Sequence, residues 1–407
     1  MQLLEGALRS YAWGSRTAIA DLCGRPSPSK HPEAELWLGA HPGDPAFVVS
    51  DGARTSLLDV IATSPESSLG TQVLPAFGPR LPYLLKILAA DEPLSLQAHP
   101  SLAQAKEGFT RENRAGVPID SPVRNYKDES HKPELIVALS PFDALAGFRD
   151  PHRTIALLAA LEVPALQTYI DLLAGAPDES GLRAVFTTWI TMPPPAMEAL
   201  IAQVLDGCVK YLSGTSREYA QDVRLVLEIA NIYPGDAGVL GVMLLNRVQL
   251  QAGEGLFLAA GNLHAYLRGL GVELMANSDN VLRGGLTPKH IDVPELLKVL
   301  DFRPIDPPIA VPVQCGRGLA RYETPAPEFA LYRVDIEPGV DSDLPADGPR
   351  IVVCTEGNVR LKDRNSTLDL APGQSAWLPA ANGAVTASAD DAAVLFCAAD
   401  GVATGAS

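Results

Sequence analysis

A period of two governs the apolar positions at both ends of the chain, and a period near 3.6 governs its middle. From residue 1 to about 150 the chain reads as short strands and loops. Tyr11-Ala-Trp-Gly14 and Glu35-Leu-Trp-Leu-Gly-Ala-His-Pro42 are apolar runs closed by Gly or Pro, the punctuation of strands and turns. Ser56 to Ile61 and Ser101 to Phe109 read as helices, the second with Ser101 as N-cap behind Pro100. The stretch between them ends in strict alternation, with Leu94, Leu96 and Ala98 on one face and Ser95, Gln97 and His99 on the other. By strand rise, Gln97 and His99 then project from one face roughly 7 Å apart, a spacing that suits two ligands of one ion. Asp150-Pro151 opens a different regime. An N-cap with proline in the first helical position precedes helical periodicities at Arg153 to Leu161, Pro164 to Leu173, Leu182 to Ile190, Pro195 to Leu212 and Arg217 to Ile232. Pro234-Gly235-Asp236 closes this helical insertion, and strand signals resume.

The stretch Gly261 to Asp292 is dense in candidate chemistry. Gln251 to Leu258 alternates and ends in the turn Ala259-Ala260-Gly261-Asn262, which delivers His264 just after a bend. Val272, Leu274 and Ala276 share one strand face and leave Glu273, Met275 and Asn277 on the other. The tail from about Pro304 alternates between Pro and Gly turns like a small β-sandwich. It carries a faint copy of the central stretch, Gly253 matching Gly373, Phe257 matching Trp377, Leu258 matching Leu378 and Asn262 matching Asn382, but with Ala384 in the place of His264. Two related β-barrels are therefore expected, of which only the first kept a metal ligand.

Composition narrows the function classes. A chain of 407 residues, 47% of them hydrophobic, is long enough for two or three domains. The net charge of −16 argues against nucleic acid and anionic membranes as partners. No run reaches the roughly 18 apolar residues of a membrane span, and MQLLEGALRSYAWGS lacks the basic-then-apolar pattern of a signal peptide, so a cytoplasmic location is expected. Five scattered cysteines without a C-x-x-C pair read as buried apolar thiols rather than disulfides or metal ligands.

Gln97, His99, Glu134 and His264 form a metal set of two imidazoles, one carboxylate and one amide oxygen. Pro133 favours an extended backbone before it, so Lys132 and Glu134 point to the same side. No Ser/His/Asp elbow, Walker loop or G-x-G-x-x-G fingerprint competes with this set. An Fe(II) oxygenase would need two histidines and a carboxylate with open positions, and Gln97 stands where its first histidine belongs. A non-catalytic sugar- or metal-binding protein is the alternative to an enzyme.

The chain resembles the type I phosphomannose isomerases, a zinc-dependent cupin family. The resemblance rests on Tyr11-Ala-Trp-Gly14, Glu35-Leu-Trp-Leu-Gly-Ala-His-Pro42, Leu94-Ser-Leu-Gln-Ala-His-Pro100, Asn125-Tyr-Lys-Asp-Glu-Ser-His-Lys-Pro-Glu-Leu135, Gly261-Asn-Leu-His-Ala-Tyr266 and Met275-Ala-Asn-Ser-Asp-Asn-Val-Leu-Arg-Gly-Gly-Leu-Thr-Pro-Lys289, in family order over residues 1 to about 300. Ser130 and Tyr83 depart from the family's usual Asn and Phe. The resemblance implies a mainly β fold with an α insertion: two cupin-like jelly-roll barrels plus a helical domain. The expected divisions are 1–149 and 234–310 for a catalytic cupin, 150–233 for the helical insertion and 311–407 for a metal-free second cupin. It implies one zinc per chain on Gln97, His99, Glu134 and His264, and interconversion of mannose 6-phosphate and fructose 6-phosphate through an enediol(ate). Arg283 becomes a catalytic arginine, with Lys132, Glu273, Asp279 and His131 as acid/base and ring-opening candidates. Lys132, Arg283, Trp13 and Lys289 become substrate contacts, although for Trp13, Trp37 and Tyr266 packing is the simpler role. A phosphosugar is then the partner, and a monomer is expected.

Overall fold

The structure, a computed structural model, describes residues 1–50 and 52–402. Among these residues the strands form three sheets, of nine, eleven and four strands. The eleven-stranded sheet is built on the 13-residue strand His264–Ala276. Its C-terminal half lies between Tyr83–Ala90 and Glu134–Ala138, with Glu273 opposite Lys86 on one side and Ile136 on the other. Its N-terminal half pairs instead with Leu96–Ala98 and Phe142–Phe148. The two halves diverge near Gly269, whose φ is +133° and where a Cβ would stand 2.6 Å from the Phe142 ring and 2.8 Å from the Pro141 carbonyl oxygen. Only glycine fits that bend.

The nine-stranded sheet joins strands of the tail to Gln2–Glu5, Phe47–Ser50 and Ala53–Ser56 from the start of the chain, with Leu3 facing Ala376 on one side and Val49 on the other. Neither this sheet nor the others closes into a barrel. The strand pairing among the described residues therefore gives a mainly β fold with helices and does not by itself establish the two jelly-roll barrels expected above. Alternation demands only that one face of each strand be buried, and two sheets packed face to face satisfy it as well as a closed cylinder does. Leu85, Ile87, Leu135, Val137, Val272 and Leu274 meet Leu331, Ile351, Val353 and Phe396 in one core between the sheets. Each such side chain contributes roughly 1.5–3 kcal/mol of hydrophobic burial, as an upper estimate. The four-stranded sheet covers the tail's other face through Val359, Leu361 and Ala387.

The insertion consists of Pro151–Ala160, Gln167–Gly175, Glu179–Ile190, Pro194–Ser213 and Ala220–Ile232. Asp150 caps it as expected, its Oδ1 accepting from the Arg153 amide at 3.1 Å. Its apolar stripe (Leu157, Phe186, Trp189, Val204, Ile229) packs against Leu96, Leu263 and Leu282. The helices therefore back the strands that carry Gln97, His264 and Arg283. Ala18–Leu22, Pro65–Phe77 and Val293–Val299 are helices that escaped the sequence reading, and Pro65–Phe77 contains Pro75 and a non-helical Gly70, the residues that normally argue against a helix. The faint repeat persists locally, since Gly253 and Gly373 both have positive φ and lead into the strands Gly255–Leu258 and Ser375–Leu378. The cysteines are free, with Cys208, Cys354 and Cys397 buried, Cys23 half-buried and Cys315 exposed, so burial holds for only part of the set.

The strand Leu282–Gly285 ends in close contact with the segment that follows the insertion. Gly285 has φ +133°, and a Cβ on it would sit 2.8 Å from the Gly238 Cα. Gly285→Ala is expected to lower stability by about 1–3 kcal/mol, read as a fall in the thermal midpoint.

Candidate metal centre and its cavity

Three strands of unequal length bring the site together. Gln97 lies on the short strand Leu96–Ala98, directly opposite His264 on one side and Arg283 on the other. Residues opposed in this way share a sheet face, so the three side chains emerge together. Glu134 opens the next strand of the long strand's other branch, opposite Met275, and His99 follows just after the Gln97 strand. The Gly261 amide donates to the His99 carbonyl oxygen at 2.8 Å, tying the two histidine-bearing turns together.

His99, Glu134 and His264 are all buried, and one ligand atom from each lies within 4.8 Å of the others. The Glu134 oxygens stand 3.3 Å from His99 Nε2 and 3.3 Å from His264 Nε2. Each imidazole is anchored at its other nitrogen: His99 Nδ1 meets the Asn280 carbonyl at 2.8 Å and His264 Nδ1 meets the Asn262 carbonyl at 3.0 Å. A carbonyl can only accept, so Nδ1 carries the proton in both rings and the Nε2 lone pairs face each other and Glu134. Burial pushes His99 down to about 4, which keeps its ring neutral near pH 7. His99 Nε2 makes no hydrogen bond among the described residues although it is fully buried. A buried, neutral ring nitrogen beside a carboxylate, with no hydrogen bond of its own, is suited to bind a divalent cation. Gln97 donates from Nε2 to Ser95 Oγ at 3.1 Å, which leaves its Oε1 uncommitted as a fourth donor. The donor set fits zinc. Burial opposes the charge on Glu134, but the Lys132 ammonium beside it outweighs that and holds the carboxyl well below its usual range.

This cluster borders a cavity of about 440 Å³. Four cations line it, Lys86, Lys132, Arg283 and Lys289, against three carboxylates, Glu35, Glu134 and Glu273. In a chain of net charge −16 this is a local excess of positive charge. The Lys132 Nζ lies 2.9 Å from Glu134 Oε1. The Arg283 guanidinium and the Lys289 ammonium make no hydrogen bond or ion pair among the described residues, and burial lowers the pKa of both. A half-buried guanidinium and an exposed ammonium that both line a cavity and carry no counter-charge suit an anion. Trp13 also lines the cavity, stacked on Tyr11 with ring centroids 5.5 Å apart.

The structure does not bring Asp279 or His131 into this cavity. The Asp279 carboxylate is 46% exposed and pairs with His41 Nε2 at 3.3 Å, because the turn that carries it leaves the strand beyond Ala276. His131 faces away, its Nε2 2.6 Å from Glu328 Oε1. Two charged lining groups escaped the sequence reading, Lys86 and Glu35. Lys86 reaches Glu273 Oε2 at 2.9 Å and Glu35 Oε1 at 3.2 Å. Its signal was available: a single lysine in the apolar run Tyr83–Ala90 is buried only if paired. Burial opposes its charge, and the two carboxylates overcome that and hold it above its usual value. Glu273 moves the other way from an ordinary carboxylate, since burial raises its pKa more than Lys86 lowers it. Tyr266 places a buried hydroxyl on the cavity wall, and burial, with Glu273 close by, pushes that hydroxyl well above its usual range.

The low value at His99 has a consequence for the metal-free protein. The unfolded imidazole takes up its proton near pH 6.5, whereas the folded one waits until about pH 4. Stability from this group is therefore complete above about pH 6.5 and lost as pH falls toward 4, on the order of 3 kcal/mol. Chemical denaturation of metal-free protein across this window is the measurement, and His99→Gln should flatten the decline.

The sequence profile described as "Phosphomannose isomerase type I, catalytic domain" matches residues 1–151. The mannose-6-phosphate isomerase of Escherichia coli K12 is 39% identical over 95% of this chain and 96% of its own, and the human mannose-6-phosphate isomerase is 31% identical over 88% and 87%. A crystal structure of a mannose 6-phosphate isomerase with zinc bound superposes with a TM-score of 0.89 at 36% identity, covering 98% of this chain and 99% of the other. A variant of the Salmonella typhimurium phosphomannose isomerase does so with a TM-score of 0.90. With this extent of agreement across the whole length, the chain belongs to the type I phosphomannose isomerase family.

Proposed function

We propose that the protein is a zinc-dependent aldose–ketose isomerase that interconverts mannose 6-phosphate and fructose 6-phosphate. The observation that carries this reading is the convergence of His99, Glu134 and His264 at the wall of a cavity that also holds two uncommitted cations. Gln97, His99, Glu134 and His264 are the proposed ligands. Zinc held there supplies positive charge that draws electron density from the sugar carbonyl.

The chain's own groups account for the proton movements. In the open-chain sugar, a base removes the proton on C2 and returns it to C1, while a second proton passes from the C2 hydroxyl to the C1 oxygen. Glu273 is the proposed base, because its burial raises the pKa of a carboxylate that lines the cavity. Lys86 and Glu35 hold that carboxylate in place. Lys132, beside the metal-binding carboxylate, is proposed to carry the proton between the two oxygens. Arg283 is proposed to face the developing enediolate and Lys289 the phosphate, with Trp13 closing the sugar's flank. Asp279 and His131 are assigned supporting roles, through their pairs with His41 and Glu328.

For the architecture we propose two jelly-roll halves, one catalytic (1–149 with 234–310) and one metal-free (311–407, its residues 403–407 lying outside the described ones), flanking the insertion 150–233. The face-to-face sheets and the locally repeated glycine turns support it. A cytoplasmic monomer is proposed as well: the cysteines are free, as a reducing compartment keeps them, and no helix among the described residues is long and apolar enough to cross a membrane.

Incubation with mannose 6-phosphate in D2O, followed by NMR, tests the reaction. Fructose 6-phosphate should form and stop forming after chelation, and one zinc per chain should be found by elemental analysis. Full turnover in chelator without stoichiometric zinc would contradict the reading. Zinc-loaded Arg283→Ala should lose on the order of 3 kcal/mol in kcat and kcat/KM together, as for a lost oxyanion donor, whereas a rise in KM alone would reassign it to ground-state phosphate binding.

A further inference from the structure

Between Ser121 and Pro133 the chain has neither helix nor strand, yet it must set the position of Lys132. Side chains hold it on two sides. On the catalytic side stands Asn280, which is fully buried: its Nδ2 donates to the Asp128 and Ser130 carbonyls at 2.8 Å each, and its Oδ1 accepts from the Lys127 amide at 2.7 Å. The same residue's carbonyl fixes His99. On the opposite side the contact comes from the tail. Glu328 Oε1 lies 2.6 Å from His131 Nε2, with the two side chains 13% and 23% exposed. Its other oxygen is buried without a partner among the described residues, so the carboxylate gives up hydration for this one imidazole. The segment beneath Glu328 is firmly seated: Phe329 is fully buried, Ala326 lies in the same core as Leu135 and Val137, and the Ala326, Pro327 and Phe329 carbonyls crowd Gly401.

We propose that Glu328 is a positioning residue for the isomerisation. Its carboxylate holds His131, and through the adjoining backbone it sets the Lys132 ammonium against Glu134. The tail, which carries none of the metal ligands, thereby takes part in the chemistry. The inference rests on the isomerase reading above.

Steady-state kinetics with mannose 6-phosphate decide it, measured on zinc-loaded wild type, Glu328→Ala, Glu328→Gln, His131→Ala and the double alanine variant, each with its zinc content. Glu328→Ala should lower kcat about tenfold with KM within about twofold, because a displaced proton carrier slows chemistry more than binding. Zinc content should stay at the wild-type value. Glu328→Gln keeps the shape and the acceptor, and should recover most of that loss while remaining about threefold slow in kcat. The double variant should be no slower than His131→Ala alone, since both changes remove one contact. A folded, zinc-loaded Glu328→Ala with kcat within about twofold of wild type overturns the inference, as do additive losses in the double variant. If Glu328→Ala does not fold, Glu328→Gln decides, and wild-type kcat in it overturns the inference. A zinc-loaded wild type that leaves mannose 6-phosphate unchanged removes the isomerase reading itself and this inference with it.

Discussion

Three carboxylates, Glu35, Glu134 and Glu273, are buried in one cavity, and none could remain ionised there alone. Desolvating a charge costs several kcal/mol, and like charges in a low-dielectric space repel. The surrounding structure answers this with specific partners: Lys86 bridges Glu35 and Glu273, and Lys132 meets Glu134. The compensation is uneven. Glu134 ends well below its usual range and Glu273 above its own, so the two carboxylates, though close together, differ in how strongly each holds its proton. Environments that push paired carboxylates apart in this way are what assign them separate roles.

Such placement requires a scaffold that does not give. Lys86 and Glu273 stand in register on neighbouring strands, and the strands carrying them are apolar on the face turned to the second sheet. The His264, Gln97 and Arg283 strands are backed instead by the helical insertion, whose stripe fills the space behind Leu96, Leu263 and Leu282. The long strand His264–Ala276 connects the two environments, and its bend at Gly269 lets one element serve both branches. His264 at one end of that strand and Glu273 further along it are therefore parts of one rigid element.

The tail contributes through contacts rather than ligands. It shares a sheet with the first residues of the chain, receives the Tyr83 hydroxyl on its Pro349 and Ala398 carbonyls, and presents Glu328 to His131. Tyr83 is one of the two departures from the family's usual residues, and its hydroxyl has a definite use here.

Much of this was legible in the chain itself. The helical insertion, its Asp150 cap, the alternation around Gln97 and His99 and the turn before His264 follow from local periodicity and capping, which act over a few residues. The four donor residues could be named because few side chains bind zinc and each stands at a polar position beside an apolar run. What local pattern could not decide was pairing over long separations. Whether alternating strands close into barrels or stack as sheets depends on partners far away in sequence, and here they stack. Lys86 is a lone charge in an apolar run by sequence, and its partners Glu273 and Glu35 lie across the strands from it. Asp279 and His131, close in sequence to site residues, were turned toward His41 and Glu328 by the bend beyond Ala276 and the seat of the tail. Sequence determined which chemistry was available, and tertiary structure decided which of those groups meet, because hydrogen-bond register and charge compensation are settled between segments rather than within them.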